Sequence, residues 1–299
     1  MFAYYLGLAL RSLRRNPILT GLMVLAIGLG IGASMTMITV LHVMTDDPLP
    51  GRSAHLYTPH LDPLPLDYAI NGGPDPSDNL TWPDAMALLR AKRAAHQAAM
   101  AGGTMLVRPA QAGLQPFYAA GRYATADIFG MFGMRFEYGG GWSEADDADA
   151  AHVAVLSDTM ARKLFGRADA VGLAAHLGSG DYRVIGVIAD WAPAPQFYAD
   201  NTGSQYSDAD TFFLPLSVAV DKDLPVNGNQ SGWGKDEQAQ SSMRGAAMSW
   251  LQFWVQLDTS AQVAAYRQYL VDYSAQQKAL GRFERPPTNA TLYGLMAWL

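Results

Sequence analysis

Four carboxylates crowd one short stretch of the chain: Glu144, Asp146, Asp147 and Asp149. Hard oxygen ligands of this kind suit a calcium ion. Calcium loops, however, place ligands at alternate positions, with a glycine at the sixth and a glutamate at the twelfth. The spacing here fits no such loop, and the stretch reads as a solvated acidic loop. His55 and His60 stand five apart with no third ligand nearby, so they read as surface histidines. Gly178, Ser179 and Gly180 lack the G-x-S-x-G frame of a nucleophile elbow and read as a hairpin turn. Gly28, Gly30 and Ala33, with Asp46 downstream, match a dinucleotide fingerprint. That fingerprint requires a half-polar helix and a second strand before the acid, and residues 33–44 offer neither. No G-x-x-x-x-G-K-[ST] phosphate loop occurs. The absence of cysteine removes disulfides, thiol catalysis and cysteine-ligated metal together. The sequence therefore assigns no catalytic residue, no cofactor-binding residue and no metal ligand.

The strongest positional signal lies elsewhere. Residues 18–41 contain no charged side chain, and Arg11, Arg14 and Arg15 stand just before them. A helix of that length is about 36 Å long, enough to cross a hydrocarbon core of about 30 Å with some tilt. The arginines precede the run and Asp46 and Asp47 follow it. The positive-inside rule then predicts a cytoplasmic N-terminus and an exterior position for everything after about residue 45. A cleaved signal peptide would have a shorter apolar region and a small-x-small end, whereas this run ends on bulky residues. Gly28 and Gly32, four apart, are candidate packing positions for a neighbouring membrane helix.

Composition sets further bounds. The chain has 299 residues and a net charge of −6. Residues 1–45 hold three arginines and no acid, which leaves 18 basic against 27 acidic residues beyond them. An acidic exterior argues against a nucleic-acid partner, which would require a basic patch.

Periodicity outlines the elements. Phe2, Tyr5, Leu6, Ala9, Leu10 and Leu13 fall on one helical face, which predicts an amphipathic segment on the inner membrane surface, ended by Pro17. Past the anchor, Thr81 caps a predicted helix running to about Ala99, stopped by Gly102 and Gly103 and followed by a strand over Thr104–Val107. Far downstream the pattern returns. Residues 252–257 alternate as a half-buried strand, Thr259 or Ser260 caps a helix carrying Val263, Tyr266, Leu270 and Tyr273, and Thr291–Trp298 closes as a strand. Between these units come strands over Tyr118–Tyr123, Val153–Leu156 and Tyr182–Ile188, with a helix from Ser157 to Gly166. Residues 221–248 are polar and read as plain surface or disorder. Trp142, Trp191, Trp233 and Trp250 are read as packing residues.

Val153 to Asp190 reads VAVLSDTMARKLFGRADAVGLAAHLGSGDYRVIGVIAD. It resembles the periplasmic core domain of MacB/FtsX-type ABC transporter permeases. The resemblance rests on Ser157, Leu164–Phe165–Gly166, Val171–Gly172 and Val184–Ile185–Gly186–Val187. Ala9–Pro17 resembles that family's approach to its first membrane helix. The residues of the motif have structural parts to play: a cap at Ser157, a left-handed stop at Gly166, packing by Leu164 and Phe165, and a bulge or close approach at Gly186.

The resemblance implies an α+β fold: one N-terminal transmembrane helix followed by an extracytoplasmic domain of two subdomains. The expected parts are a cytoplasmic amphipathic segment (1–17), a transmembrane helix (18–44), a porter-like subdomain (45–107 with 211–299) and an inserted Sabre-like subdomain (108–210). It implies a permease subunit, or its N-terminal portion, in the bacterial inner membrane. A partner ABC ATPase would bind ATP, and movement of the periplasmic domain would export or release substrate. It further implies a homo- or heterodimer of permeases, a periplasmic adaptor, contact with membrane lipid, no bound cofactor of its own and no nucleic acid. The family's three further membrane helices do not occur before Leu299. A stand-alone membrane-anchored binding or scaffolding module is the alternative reading, and an exported enzyme with a signal peptide is a third.

Overall fold

The computed structural model describes residues 15–44, 46–68, 78–109, 111, 113–198, 208–234 and 237–299. Arg11, Arg14 and the expected amphipathic segment lie outside the described residues. Two compact units result, one up to Asp46 and one from Asp47 to Leu299.

The first unit contains α1 (Pro17–Met44), 28 residues or about 42 Å long. Apolar side chains such as Ile18, Leu22, Leu25, Leu29 and Ile38 stand exposed along it. Its four hydroxyl side chains turn back onto the helix. Thr20, Ser34, Thr36 and Thr39 each donate to the carbonyl four residues earlier, at 2.8–3.0 Å. With these four hydroxyls paired to the helix's own backbone, they are side chains that hydrocarbon accepts. Arg15 lies exposed just before it.

The second unit is built on one mixed sheet. Its strands are β1 (Leu56–His60), β2 (Leu80–Thr81), β3 (His96–Arg108), β4 (Phe117–Ala124), β5 (Phe136–Gly139), β6 (Val153–Ser157), β7 (Ala174–Leu177), β8 (Gly180–Ile188), β9 (Phe212–Pro215), β10 (Ser231–Gly232), β11 (Met248–Gln256) and β12 (Thr291–Gly294). The main path runs β12-β1-β11-β3-β4-β9-β6-β8-β5. Strands from the two ends of the unit thus interleave before the path continues into the middle of the sequence. β4 pairs with β9 and β6 with β8 in parallel, and the other neighbours on the path are antiparallel.

The helices of this unit are α2 (Trp82–Ala91), α3 (Ile128–Met131), α4 (Glu144–Ala148), α5 (Asp158–Phe165), α6 (Leu216–Asp221), α7 (Glu237–Ser241), α8 (Ser260–Ala279) and α9 (Leu295–Trp298). They cover both faces of the sheet, and the strand alternation sorts side chains accordingly. From β11, Leu251, Phe253 and Val255 enter one core, shared with α2, α5, α6 and α8. Trp254 enters the other, with Phe132, Phe197 and Leu295. β3, β6 and β9 divide their residues between the two cores in the same way.

Four sequence expectations change here. The helix from Thr81 ends at Ala91, where Lys92 turns left-handed at φ 46°. The alanine-rich stretch after it is β3, because pairing with β11 on one side and β4 on the other outweighs its helical composition. Gly102 and Gly103 therefore lie within a strand. The Tyr123 ring crosses Gly103 so closely that a Cβ there would sit 2.4 Å from it. Second, the strand over 252–257 is buried on both faces, since Trp254 fills the second core. Third, only Thr291–Gly294 of the closing segment is a strand, and α9 follows it. Fourth, the polar stretch 221–248 carries β10 and α7 and buries Trp233, while the Trp250 indole just beyond it donates to the Met243 carbonyl at 2.9 Å.

Candidate functional site

The motif residues gather on one strand–helix–strand passage. The Ser157 side chain, at the end of β6, accepts from the Met160 amide at 3.2 Å and so caps α5. Asp158 in the first turn and Arg162 and Lys163 in the last complement the helix dipole. Leu164 and, more shallowly, Phe165 pack into the first core. Gly166 stops the helix at φ 71°, its amide bonded to the Arg162 carbonyl at 2.8 Å. Gly172 turns at φ 85° and donates to the Val184 carbonyl at 2.8 Å.

Gly186 sits where β8 is squeezed. The β6–β8 register slips between Ala154 and Val155, and a Cβ on Gly186 would lie 2.3 Å from the Gly140 carbonyl oxygen. Val187 beside it is fully buried. These residues build the parallel β6–β8 pair; none presents a free reactive group. Gly28 and Gly32 lie apart on α1, with nothing described within 4 Å of where their side chains would be.

The group that sequence reasoning missed is at another junction. A cleft of about 390 Å³ opens between α2, the start of β3, the Thr125–Asp127 turn, α4 and the start of α6. Trp82, Met86, Leu89 and Leu216 form its apolar wall. The acidic stretch expected to be a solvated loop is α4, closed by a capping box between Ser143 and Asp146. The Ser143 hydrogen bonds hold the exposed Asp146 carboxyl below its usual range. Asp147 instead turns inward. Its Oδ2 accepts the Ala126 amide at 2.7 Å. Burial pushes its carboxyl up to about 7, against the opposing Ala126 and Trp142 donors and with a small addition from Asp146 and Glu144. The Trp142 indole faces this carboxyl without closing a well-formed hydrogen bond to Oδ1. Across the cleft mouth Lys92 pairs with Glu144 at 2.9 Å. The signal available in the sequence was the Ser143–Asp146 capping box, which turns a loop into a helix and one of its acids inward.

The two histidines separate. His55 is partly exposed, 3.5 Å from Asp258. His60, expected at the surface, is buried, with its ring edge-on to Tyr293 at 5.1 Å and Trp298 at 4.9 Å. The loss of hydration lowers its pKa to about 4, so it packs as a neutral ring. Among the described residues no three His, Asp or Glu side chains converge as metal ligands.

A family model described as the MacB-like periplasmic core domain matches residues 20–273. No curated protein matches the chain. Among solved structures, the periplasmic region of MacB from Actinobacillus actinomycetemcomitans is similar at a TM-score of 0.52 and 13% identity, over 84% of this chain and 94% of that one. At that identity the likeness speaks for the fold alone. The extracellular domain of the noncanonic ABC-type transporter YknZ from Gram-positive bacteria gives 0.47 at 14% identity, over 74% of this chain and 95% of that one. A domain of a Porphyromonas gingivalis protein described as a permease gives 0.49 at 12% identity, over 81% and 91%.

Proposed function

Because the chain belongs to the MacB-like periplasmic core domain family of ABC transporter permeases, we propose that it is a permease subunit, or its N-terminal portion, working by mechanotransmission. The family match across residues 20–273, which takes in most of α1, carries this reading. α1 is long and apolar enough to cross a membrane. In this proposal it spans the bacterial inner membrane, with Arg11, Arg14 and Arg15 holding the N-terminus in the cytoplasm. A partner ATPase closes on ATP below the membrane, and α1 passes that motion to the domain beyond residue 46. The porter-like (45–107 with 211–299) and Sabre-like (108–210) parts then shift to export or release a substrate.

Gly28 and Gly32 offer a flat strip for a neighbouring membrane helix. A permease dimer and a periplasmic adaptor complete the assembly, and the subunit binds no cofactor itself. The test is affinity purification of the tagged full-length protein from native membranes in mild detergent. Co-purification of an ABC ATPase subunit in stoichiometric amount is expected. Its consistent absence, with α1 protected in the membrane, would overturn the reading.

A further inference from the structure

β4 loses its cover half-way along. β9 pairs with it only from Gly121 to Ala124, although β4 begins at Phe117. The direction of the uncovered groups follows from its other neighbour, β3. The Leu106 carbonyl turns away from β4 to accept the Gly178 amide at 2.8 Å. The Leu106–Tyr118 pair is therefore one of the antiparallel pairs that exchange no hydrogen bonds, and the Tyr118 N–H and C=O point to the outer edge. Ala120, two residues on, turns the same way: its carbonyl accepts the Thr211 amide and hydroxyl, each at 2.9 Å. Among the described residues nothing bonds to the Tyr118 N–H or C=O, or to the Ala120 N–H.

That bare edge forms one wall of a cleft of about 420 Å³. Phe117, Tyr118, Ala119 and Ala120 all line it. Successive side chains of a strand point to opposite faces, so four residues in a row meet one cleft only along the backbone edge. α5 stands across from them through Thr159, Met160 and Lys163. Most polar side chains of the cleft are already engaged. Ser157 caps α5, Asp190 takes the Thr159 amide and hydroxyl at 3.1 and 2.5 Å, and Asp210 holds Arg122 at 2.7 Å. Lys163 Nζ lies over the Phe117 ring, 3.5 Å from its centre. Asp208 is exposed. The groups that converge here with bonds still to make are main-chain ones. Phe117 and Trp191, both half-buried, offer apolar surface beside them.

We infer that this cleft takes a single extended peptide segment, added as a strand to the β4 edge at Tyr118 and Ala120. An exposed strand edge binds an extended chain through main-chain hydrogen bonds, with pockets for its alternate side chains. A small polar ligand would find most side-chain partners occupied. The edge of a folded partner's sheet is kept out by α5, which closes the far side and leaves room for one chain. The inference does not depend on ATPase coupling and stands or falls separately from it.

The test is fluorescence anisotropy of a short labelled peptide of alternating threonine and valine, titrated with the full chain in detergent micelles. Deuterium exchange of the chain accompanies it. Saturable binding is expected, with slowed exchange in residues 117–121. The same peptide N-methylated along its centre should give neither. Tyr118→Pro removes the edge N–H and spares the bonds to β3, since a strand tolerates proline where the missing donor faces outward. It should weaken binding about tenfold, the scale of one hydrogen bond. Tyr118→Ala keeps the main chain and should bind like the parent. The proposal is overturned by absence of saturable binding, by equal binding of the N-methylated peptide, or by an alanine variant as weak as the proline one. A dimer that Tyr118→Pro dissociates would give the edge to a second copy and overturn it too. Should the proline variant fail to fold, the N-methylated peptide and the exchange pattern decide.

Discussion

The Tyr273 hydroxyl donates to the Asp84 carboxylate at 2.6 Å, joining two helices across 189 residues of sequence. Asp84 is fully buried, and the Thr81 hydroxyl, at 2.5 Å, and the Arg282 guanidinium meet it as well. Burial, reinforced by the neighbouring carboxylate, raises the Tyr273 pKa and keeps it a donor. Tyr273→Phe should cost about 1.5 kcal/mol, the scale of a hydrogen bond to a charged group. Asp84→Ala should cost about 3 kcal/mol, because Arg282 loses its buried partner. Chemical unfolding of the two variants checks the order: equal costs would show that Tyr273, not the ion pair, dominates.

His60 sets an acid limit on stability. Its folded pKa of about 4 lies below the ordinary 6.5. The unfolded chain therefore binds the proton first, and stability falls as pH drops from about 6.5 towards 4. The full loss is about 3 kcal/mol. His60→Leu should remove that component. Unfolding free energies at pH 7, 6, 5 and 4 for parent and variant should diverge in slope, and parallel curves would contradict the assignment.

Gly186→Ala should destabilise by about 1–3 kcal/mol, because the obstacle to its Cβ is the Gly140 backbone rather than a movable side chain. Gly172→Ala meets no neighbour but must hold φ 85°, at about 1–2 kcal/mol. Thermal melts of both variants are the check. A Gly186→Ala protein as stable as the parent would mean that β5 and β8 can part.

Two arginines in the middle of α1, Leu25→Arg with Leu29→Arg, should add about 6 kcal/mol to insertion, at about 3 kcal/mol each. The fraction resisting carbonate extraction should collapse. Retention at the parental level would place α1 outside lipid.

Some of this architecture is local and was readable in advance. α1 declares itself through an uncharged run, and its hydroxyls answer to carbonyls only four residues away. The Ser157 cap, the Gly166 stop and the Thr259–Gln262 capping box depend on residues within a turn or two. The hairpin turn at Gly178 joins adjacent strands, β7 and β8. The family motif falls in this same class, since it is a string of caps, stops and turns.

What the sequence by itself determined, then, was the membrane-length helix, the helix starts capped by Thr81, Ser157 and Thr259, the Gly166 stop, and the family, all written in contacts of short range. The tertiary structure alone decided which polar groups are buried. His60 is enclosed by Tyr293 and Trp298, more than 230 residues away. The alanine-rich β3 becomes a strand only because β11 and β4 flank it. Asp147 turns from a solvated acid into a half-buried carboxyl once Ala126 and Trp142 close around it. Desolvation depends on everything that packs against a group, and no window of sequence contains those neighbours.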